Sequence, residues 1–205
     1  TSAVNRFVII TTAVGHALKD KLVSTSGAMV GDDIIITKYA GIEGTAIIAH
    51  DKEKELMDKI ERDVLEKAKS LVKDISVVKE GIIAGRFGVN SMHDITEGGV
   101  LGAVWEVAEA SEKGAVVYAD KIPVMEETLK ICNIFNIDPF RLISSGCMII
   151  TCKNGKDLVK ELESNGIKAT IIGQITEGNK KQLVLKDGYA EIDQPLSDEL
   201  YKVVE

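Results

Sequence analysis

Between Ser91 and Ser111 the sequence reads SMHDITEGGVLGAVWEVAEAS. His93, Asp94, Thr96 and Glu97 stand directly before the glycine pair Gly98 and Gly99 and an amphipathic run. At a helix start the first backbone N–H groups have no partner inside the helix, and the helix dipole favours an anion there. Glycine has no side chain to keep an anionic oxygen away from the main chain. The chemistry such a pattern offers is a phosphate cradle. A second stretch, KYAGIEGTAIIAH, repeats the design with Gly41 and Gly44.

Neither stretch carries the Lys and Ser/Thr of a P-loop or the GxGxxG spacing of a dinucleotide fold. The same glycines also serve close helix packing, so that each loop, taken alone, is more often a structural turn than a ligand site, and Thr96 is also placed as a helix N-cap. Asp94 is an alternative occupant of the cradle, because a carboxylate accepting the loop amides would sit where phosphate would. His93 beside Asp94 offers general acid/base chemistry near neutrality. No metal ligand set is readable: His16 and His50 lie far off in sequence and HExxH is absent. Ser144, Ser145 and Gly146 form a polar turn without a GxSxG elbow.

The elements that position these residues follow from hydrophobic periodicity. Val4 to Gly15 reads as a β-branched strand, and Asp33 to Thr37 (DIIIT) as a short buried one. Helix follows the Gly41 to Gly44 loop. From Lys52 to Lys73 apolar residues recur three or four apart, which predicts an amphipathic helix with Asp51 as a plausible cap. Ser76 to Gly88 reads as a short helix or a strand and turn. Gly98 to Ser111 reads as helix after an extended VNSMHDIT. Strands are expected at GAVVYADKIPV, where Pro123 ends the run, at CMIITC and at KATIIGQIT, and helices over Met125 to Phe135 and GKDLVKELESNG. KQLVLKDG with YAEI gives a terminal hairpin turning at Asp187 and Gly188. The pattern predicts an α+β fold, a mixed β-sheet packed with helices.

Composition narrows the function classes. The 205 residues are 45% apolar and 28% charged, the balance of a globular protein with a sizeable core. A net charge of -7 with only 4% aromatic residues disfavours nucleic acid as a partner. No apolar run is long enough to span a membrane, so a cytoplasmic address is expected. Cys132, Cys147 and Cys152 fit neither a zinc nor a redox spacing and read as buried thiols.

The segments GDDIIITKYAGIEGTAIIA, MHDITEGGVLGAVWEVAEAS, RLISSGCMIIT and SDELYKV together resemble the C-terminal domain of the aminoimidazole ribonucleotide (AIR) synthetase-related, PurM-like superfamily. The resemblance runs from about Val4 and is nearest to members like the hydrogenase maturation factors. It implies two regions: residues 1–30 as the remnant of an N-terminal ATP-binding domain and its connection, and residues 31–205 as the C-terminal α+β domain. It also implies a parent that is a homodimer, uses ATP with Mg2+ held mainly by the other domain, and phosphorylates an oxygen of a small-molecule substrate. His93 and Asp94 are then the catalytic candidates. Gly41, Gly44, Thr96, Gly98 and Gly99 are the cofactor-binding ones, with no metal ligand in this chain, and a maturation protein is a further expected partner. Two departures weigh against carbamoyl dehydration by the usual route: the chain ends at LYKVVE without the accepting cysteine, and Ser144, Ser145 and Gly146 stand where such members tend to carry an acidic residue before the glycine of the turn. The alternative is a non-catalytic nucleotide-binding or scaffold protein of metalloenzyme maturation.

Overall fold

A computed structural model describes residues 8–12 and 14–204 of the chain. Among these residues the centre is a seven-stranded mixed sheet. The strands are β1 (Asp33–Thr37), β2 (Ser91–Asp94), β3 (Gly114–Tyr118), β4 (Met148–Cys152), β5 (Ala169–Thr176), β6 (Lys181–Leu185) and β7 (Gly188–Glu191). They lie in the order β2-β4-β1-β5-β3-β6-β7, antiparallel throughout except for the parallel pair β3 and β6. The helices are α1 (Ile42–Asp51), α2 (Glu53–Leu56), α3 (Arg62–Ser70), α4 (Val78–Phe87), α5 (Gly99–Ala110), α6 (Glu126–Phe135) and α7 (Gly155–Ser164). The architecture is α+β, as the alternation of patterns predicts.

Strand β1 shows why the run DIIIT is apolar without a break. Successive strand residues point to opposite faces, and both faces of β1 are covered. Ile34 and Ile36 enter the core shared with Val100, Val104 and Val107 of α5. Ile35 enters the opposite core, with Ile150 of β4, Ala84 of α4 and Leu158 and Leu162 of α7. A third cluster joins Ile48 of α1, Leu65 and Ala68 of α3 and Ile131 of α6 around Leu142. This cluster braces one side of the site described below.

Four local readings are corrected. Val4 to Phe7 and Ala13 lie outside the described residues, and Val8–Thr12 carries no strand. Val8, Ile9 and Ile10 are exposed there, because the described residues supply no neighbouring strand to pair with them. The single helix from Lys52 to Lys73 is two helices and a closing 3-10 turn, Leu71–Asp74. The Leu56 carbonyl accepts from both the Lys59 and Ile60 amides, which turns the chain before α3 starts. Asp51 is the last residue of α1 rather than a cap. Ser76 to Gly88 resolves as α4, ended by Gly88 at φ +86°. The hairpin turns at Lys186 and Asp187, since Gly188 already pairs with Leu185.

All three cysteines are buried free thiols. Burial pushes the Cys132 thiol up to about 12, with Asp138 and Glu199 adding to the effect, and pushes Cys147 and Cys152 up to about 11. The thiolate is the reactive form, and a thiol of that pKa is less than about 1% thiolate near pH 8. Reaction with Ellman's reagent is therefore expected to be slower by about 100-fold or more in the folded protein than in denaturant. Rapid labelling of a native cysteine would contradict this burial.

Candidate functional site

Strand β2 edges the sheet and pairs with β4 in the register His93 to Ile149 and Asp94 to Met148. Neighbours on a strand face opposite ways, and the two candidate catalytic residues do so here. Asp94 is exposed and makes no side-chain hydrogen bond among the described residues. His93 is half-buried and engaged at both ring nitrogens: Nδ1 lies 3.1 Å from Thr25 Oγ1, and Nε2 lies 2.8 Å from Glu106 Oε2. The carboxylate that orients the imidazole is thus Glu106, not the adjacent Asp94. Glu106 lies on α5, one strand-to-helix turn away, a pairing that only the topology reveals.

After β2 the buried Ile95 anchors the chain, its amide donating to the Cys147 carbonyl. Thr96 and Glu97 follow, then Gly98 at φ +84° and Gly99 at φ +62°. The residue capping α5 is Gly98, and Thr96 offers its carbonyl to the Gly99 amide instead of its side chain to the helix. Two successive left-handed residues make this turn, a conformation glycine adopts without steric cost. Space requires glycine as well: a Cβ on Gly99 would lie 2.6 Å from the Phe140 carbonyl oxygen, and one on Gly98 2.7 Å from Pro195 Cβ.

The second loop is built the same way. Gly41 caps α1 at φ +72°, and Gly44 lies in the first turn of that helix. A Cβ on Gly44 would fall 2.5 Å from the Leu142 side chain. The structure therefore brings the two glycine loops together, one on each side of a strap from Pro139 to Ser145. It also overturns the expectation that their amides stand open. Gly41 N donates to Ser144 Oγ (2.8 Å), Gly44 N to Ile143 O (3.0 Å) and Gly99 N to Thr96 O (3.1 Å).

The fourth amide, Gly98 N, donates to Asp198 Oδ2 at 2.7 Å, while Ile143 N and Leu200 N donate to Oδ1 at 3.1 and 2.8 Å. A carboxyl group does sit at the mouth of α5, and it is the chain's own Asp198 rather than Asp94. Burial pushes the Asp198 carboxyl above the usual carboxylate range, and the three N–H donors oppose that push. On the other loop, Glu43 Oε2 accepts from Ser145 N at 3.2 Å. The part of this arrangement legible in sequence is Asp198 in SDEL, an acid placed to cap the short turn Glu199–Lys202. Its bonds to residues 98 and 143 cross long stretches of chain and leave no local signal.

Beside this mouth is a cavity of about 260 Å³ whose lining includes Glu97, Gly98, Glu106 and Asp198. Three carboxyl groups around one opening repel a polyphosphate unless cations accompany it. Among the described residues no group of three or more His, Cys, Asp or Glu could hold a metal ion, and no helix is long and apolar enough to cross a membrane. Taken alone, the described residues do not fit a complete nucleotide or Mg2+ site.

The α+β fold is shared with solved structures of a hydrogenase maturation protein and a thiamine-monophosphate kinase. Residues 29–186 match the family described as AIR synthase related protein, C-terminal domain, and the chain belongs to that family. A putative hydrogenase expression/formation protein of Methanocaldococcus jannaschii is 29% identical over 209 residues, covering 99% of this chain and 60% of that protein. A thiamine-monophosphate kinase of Pyrococcus horikoshii is 30% identical over 182 residues, covering 87% of this chain and 52% of the kinase. The crystal structure of E. coli HypE, a hydrogenase maturation protein, superimposes with a TM-score of 0.72 at 22% identity, covering 89% of this chain and 55% of that one. The chain thus spans about half the length of the relatives it matches.

Proposed function

We propose that this chain is the C-terminal part of a longer ATP-dependent enzyme that activates an oxygen of a small substrate by phosphorylation. Residues 1–30 connect it to the nucleotide-binding part, which supplies the Mg2+ ligands, and the parent is a cytoplasmic homodimer. The observation that carries the reading is the family match over residues 29–186, joined to a relative described as a thiamine-monophosphate kinase and a related structure described as HypE in complex with ATP. The exposed apolar residues Val8, Ile9 and Ile10 support a connection that packs against further protein.

In this reading the chain's contribution is a rigid wall of the cleft. Gly41, Gly44, Gly98 and Gly99 hold the two helix mouths against the strap and do not themselves grip phosphate. Asp94, Thr96 and Glu97, presented at the end of β2, face the substrate, and Asp94 orients it. His93 holds the wall's geometry through Glu106. Nucleotide with its metal, held by the other part of the parent, would supply the phosphoryl group. Fixed groups of this kind lower a barrier by positioning, without reorganising during the reaction.

Isothermal titration of the 205-residue chain with Mg-ATP is expected to show no saturable binding below millimolar concentration, and phosphate release is expected to be at background. A parent containing both parts is expected to release phosphate only when its oxygen substrate is present. Vigorous ATP hydrolysis by the isolated chain would overturn this division of labour. A second reading, a non-catalytic scaffold in metalloenzyme maturation, draws support from the internally satisfied glycine amides and from a HypE-HypF complex among the related structures. Tight nucleotide binding by the parent, without substrate-dependent phosphate release, would select it.

A further inference from the structure

Three side chains from separate parts of the chain form one hydrogen-bonded series beside the mouth of α5: Thr25, His93 and Glu106. An ionised carboxylate only accepts, so the 2.8 Å contact to Glu106 places the hydrogen on His93 Nε2. In the neutral ring Nδ1 then presents its lone pair, and the hydroxyl 3.1 Å away donates to it. Hydroxyl, base and orienting carboxylate in series is the arrangement that turns an alcohol into a nucleophile.

The surroundings hold the hydroxyl in place. Ser91 Oγ and Ser111 Oγ both donate to the Thr25 carbonyl, at 2.8 and 3.3 Å, and Ala28 N donates to Ser111 Oγ at 3.1 Å. A Cβ on Gly27 would collide with the Asn90 carbonyl oxygen, so glycine lets this segment lie directly on the chain entering β2. Thr25 itself is half-buried, with exposed Ser24 and Ser26 on either side whose hydroxyls lie 3.1 Å apart. One bond between two hydroxyls uses one of their two hydrogens, which leaves one to donate to a developing oxyanion.

We propose that Thr25 is the nucleophile of an acyl-transfer site, with His93 as its base and Glu106 as the group that orients the base. This inference stands on side-chain geometry and is independent of the ATP-dependent reading. The substrate class is a small neutral ester. Glu106, the exposed Asp94 next to His93 and the chain's net charge of -7 all disfavour an anionic phosphate ester here. In the step, Thr25 Oγ bonds to the acyl carbon and its proton passes to His93 Nδ1, giving an imidazolium held by Glu106. The bond from the acyl carbon to the leaving oxygen breaks, and that oxygen takes the proton from Nδ1. The products are a Thr25 ester and an alcohol. Water repeats the sequence to release the acid.

The test uses the 205-residue protein and p-nitrophenyl acetate. A burst approaching one equivalent of nitrophenol per chain is expected, with one acetyl group on the peptide containing Thr25. Thr25→Val, which removes the hydroxyl and keeps the shape, is expected to abolish both, whereas Thr25→Ser retains them. His93→Gln is expected to slow the burst at least about 100-fold, the usual scale for loss of a general base. Circular dichroism and thermal melts confirm that each variant is folded, and Thr25→Val carries the test should His93→Gln loosen the segment. Acetylation confined to lysines, or a burst unchanged in Thr25→Val, would overturn the proposal and leave the three residues as a structural clasp.

Discussion

Replacing Lys38 with methionine is expected to destabilise the protein by about 3–5 kcal/mol, the scale for breaking a buried ion pair by removing one partner. Lys38 follows β1 directly and holds a left-handed backbone at φ +54°, which costs energy for any residue with a side chain. Its ammonium gathers four oxygens: Gly146 O at 2.7 Å, Ser76 O at 2.8 Å, Asp74 O at 3.1 Å and Glu80 Oε1 at 2.6 Å. Glu80, on α4, is only 2% exposed. An ammonium has three hydrogens for these four acceptors, so the Glu80 contact is an ion contact rather than a further aligned hydrogen bond. Without Lys38 a carboxylate stays buried with no countercharge, and the turns at residues 74–76 and 144–146 lose their common anchor. Substituting Glu80 with leucine in the same protein removes the stranded charge and is expected to recover more than half of the loss. Urea denaturation of the two variants checks both figures, and a cost below about 1 kcal/mol for Lys38→Met would show that the pair contributes no more than a surface one.

The central sheet was legible because burial on both faces demands an unbroken apolar strand, and DIIIT leaves little choice about where β1 runs. The stretch from Lys52 to Lys73 misled for a related reason. Leu56 and Ile60 keep helical spacing straight through the break between α2 and α3, so periodicity cannot register that the chain has turned to bring α3 across α1 and α6. At the site the glycines marked both helix mouths, since left-handed turns and close approach leave a local trace. What fills those mouths comes from residues 139–145 and from Asp198, about a hundred residues from Gly98. An empty cradle and one filled by the chain's own carboxylate look alike in sequence, because both need small residues and unpaired amides at the same positions. The same limit hid Glu106 and Thr25 from any reading of His93 based on its immediate neighbours.

The second large effect is expected at Asp198. Its carboxylate is the common acceptor for Gly98 N, Ile143 N and Leu200 N, and so ties α5, the strap and the closing turn of the chain to one point. Asp198→Ala leaves three amides without a partner, at about 1–3 kcal/mol for each that stays buried. Water entering from the neighbouring cavity offsets part of this, giving an expected loss of about 3 kcal/mol at neutral pH. Asp198→Asn keeps one oxygen for Ile143 and Leu200 but turns an NH2 group towards Gly98, and is expected to cost less. The pH dependence separates charge from hydrogen bonding. Burial raises the folded-state pKa of Asp198 above its unfolded value, so the group's contribution is fully present below the unfolded value and is lost as pH rises through the folded one. The uncharged asparagine escapes that loss. The stability gap between wild type and Asp198→Asn should therefore narrow as pH rises above about 4, measured by urea unfolding across the acid range. A gap that widened with pH would mean that the three N–H donors outweigh burial, and that the mouth of α5 stabilises a negative charge after all.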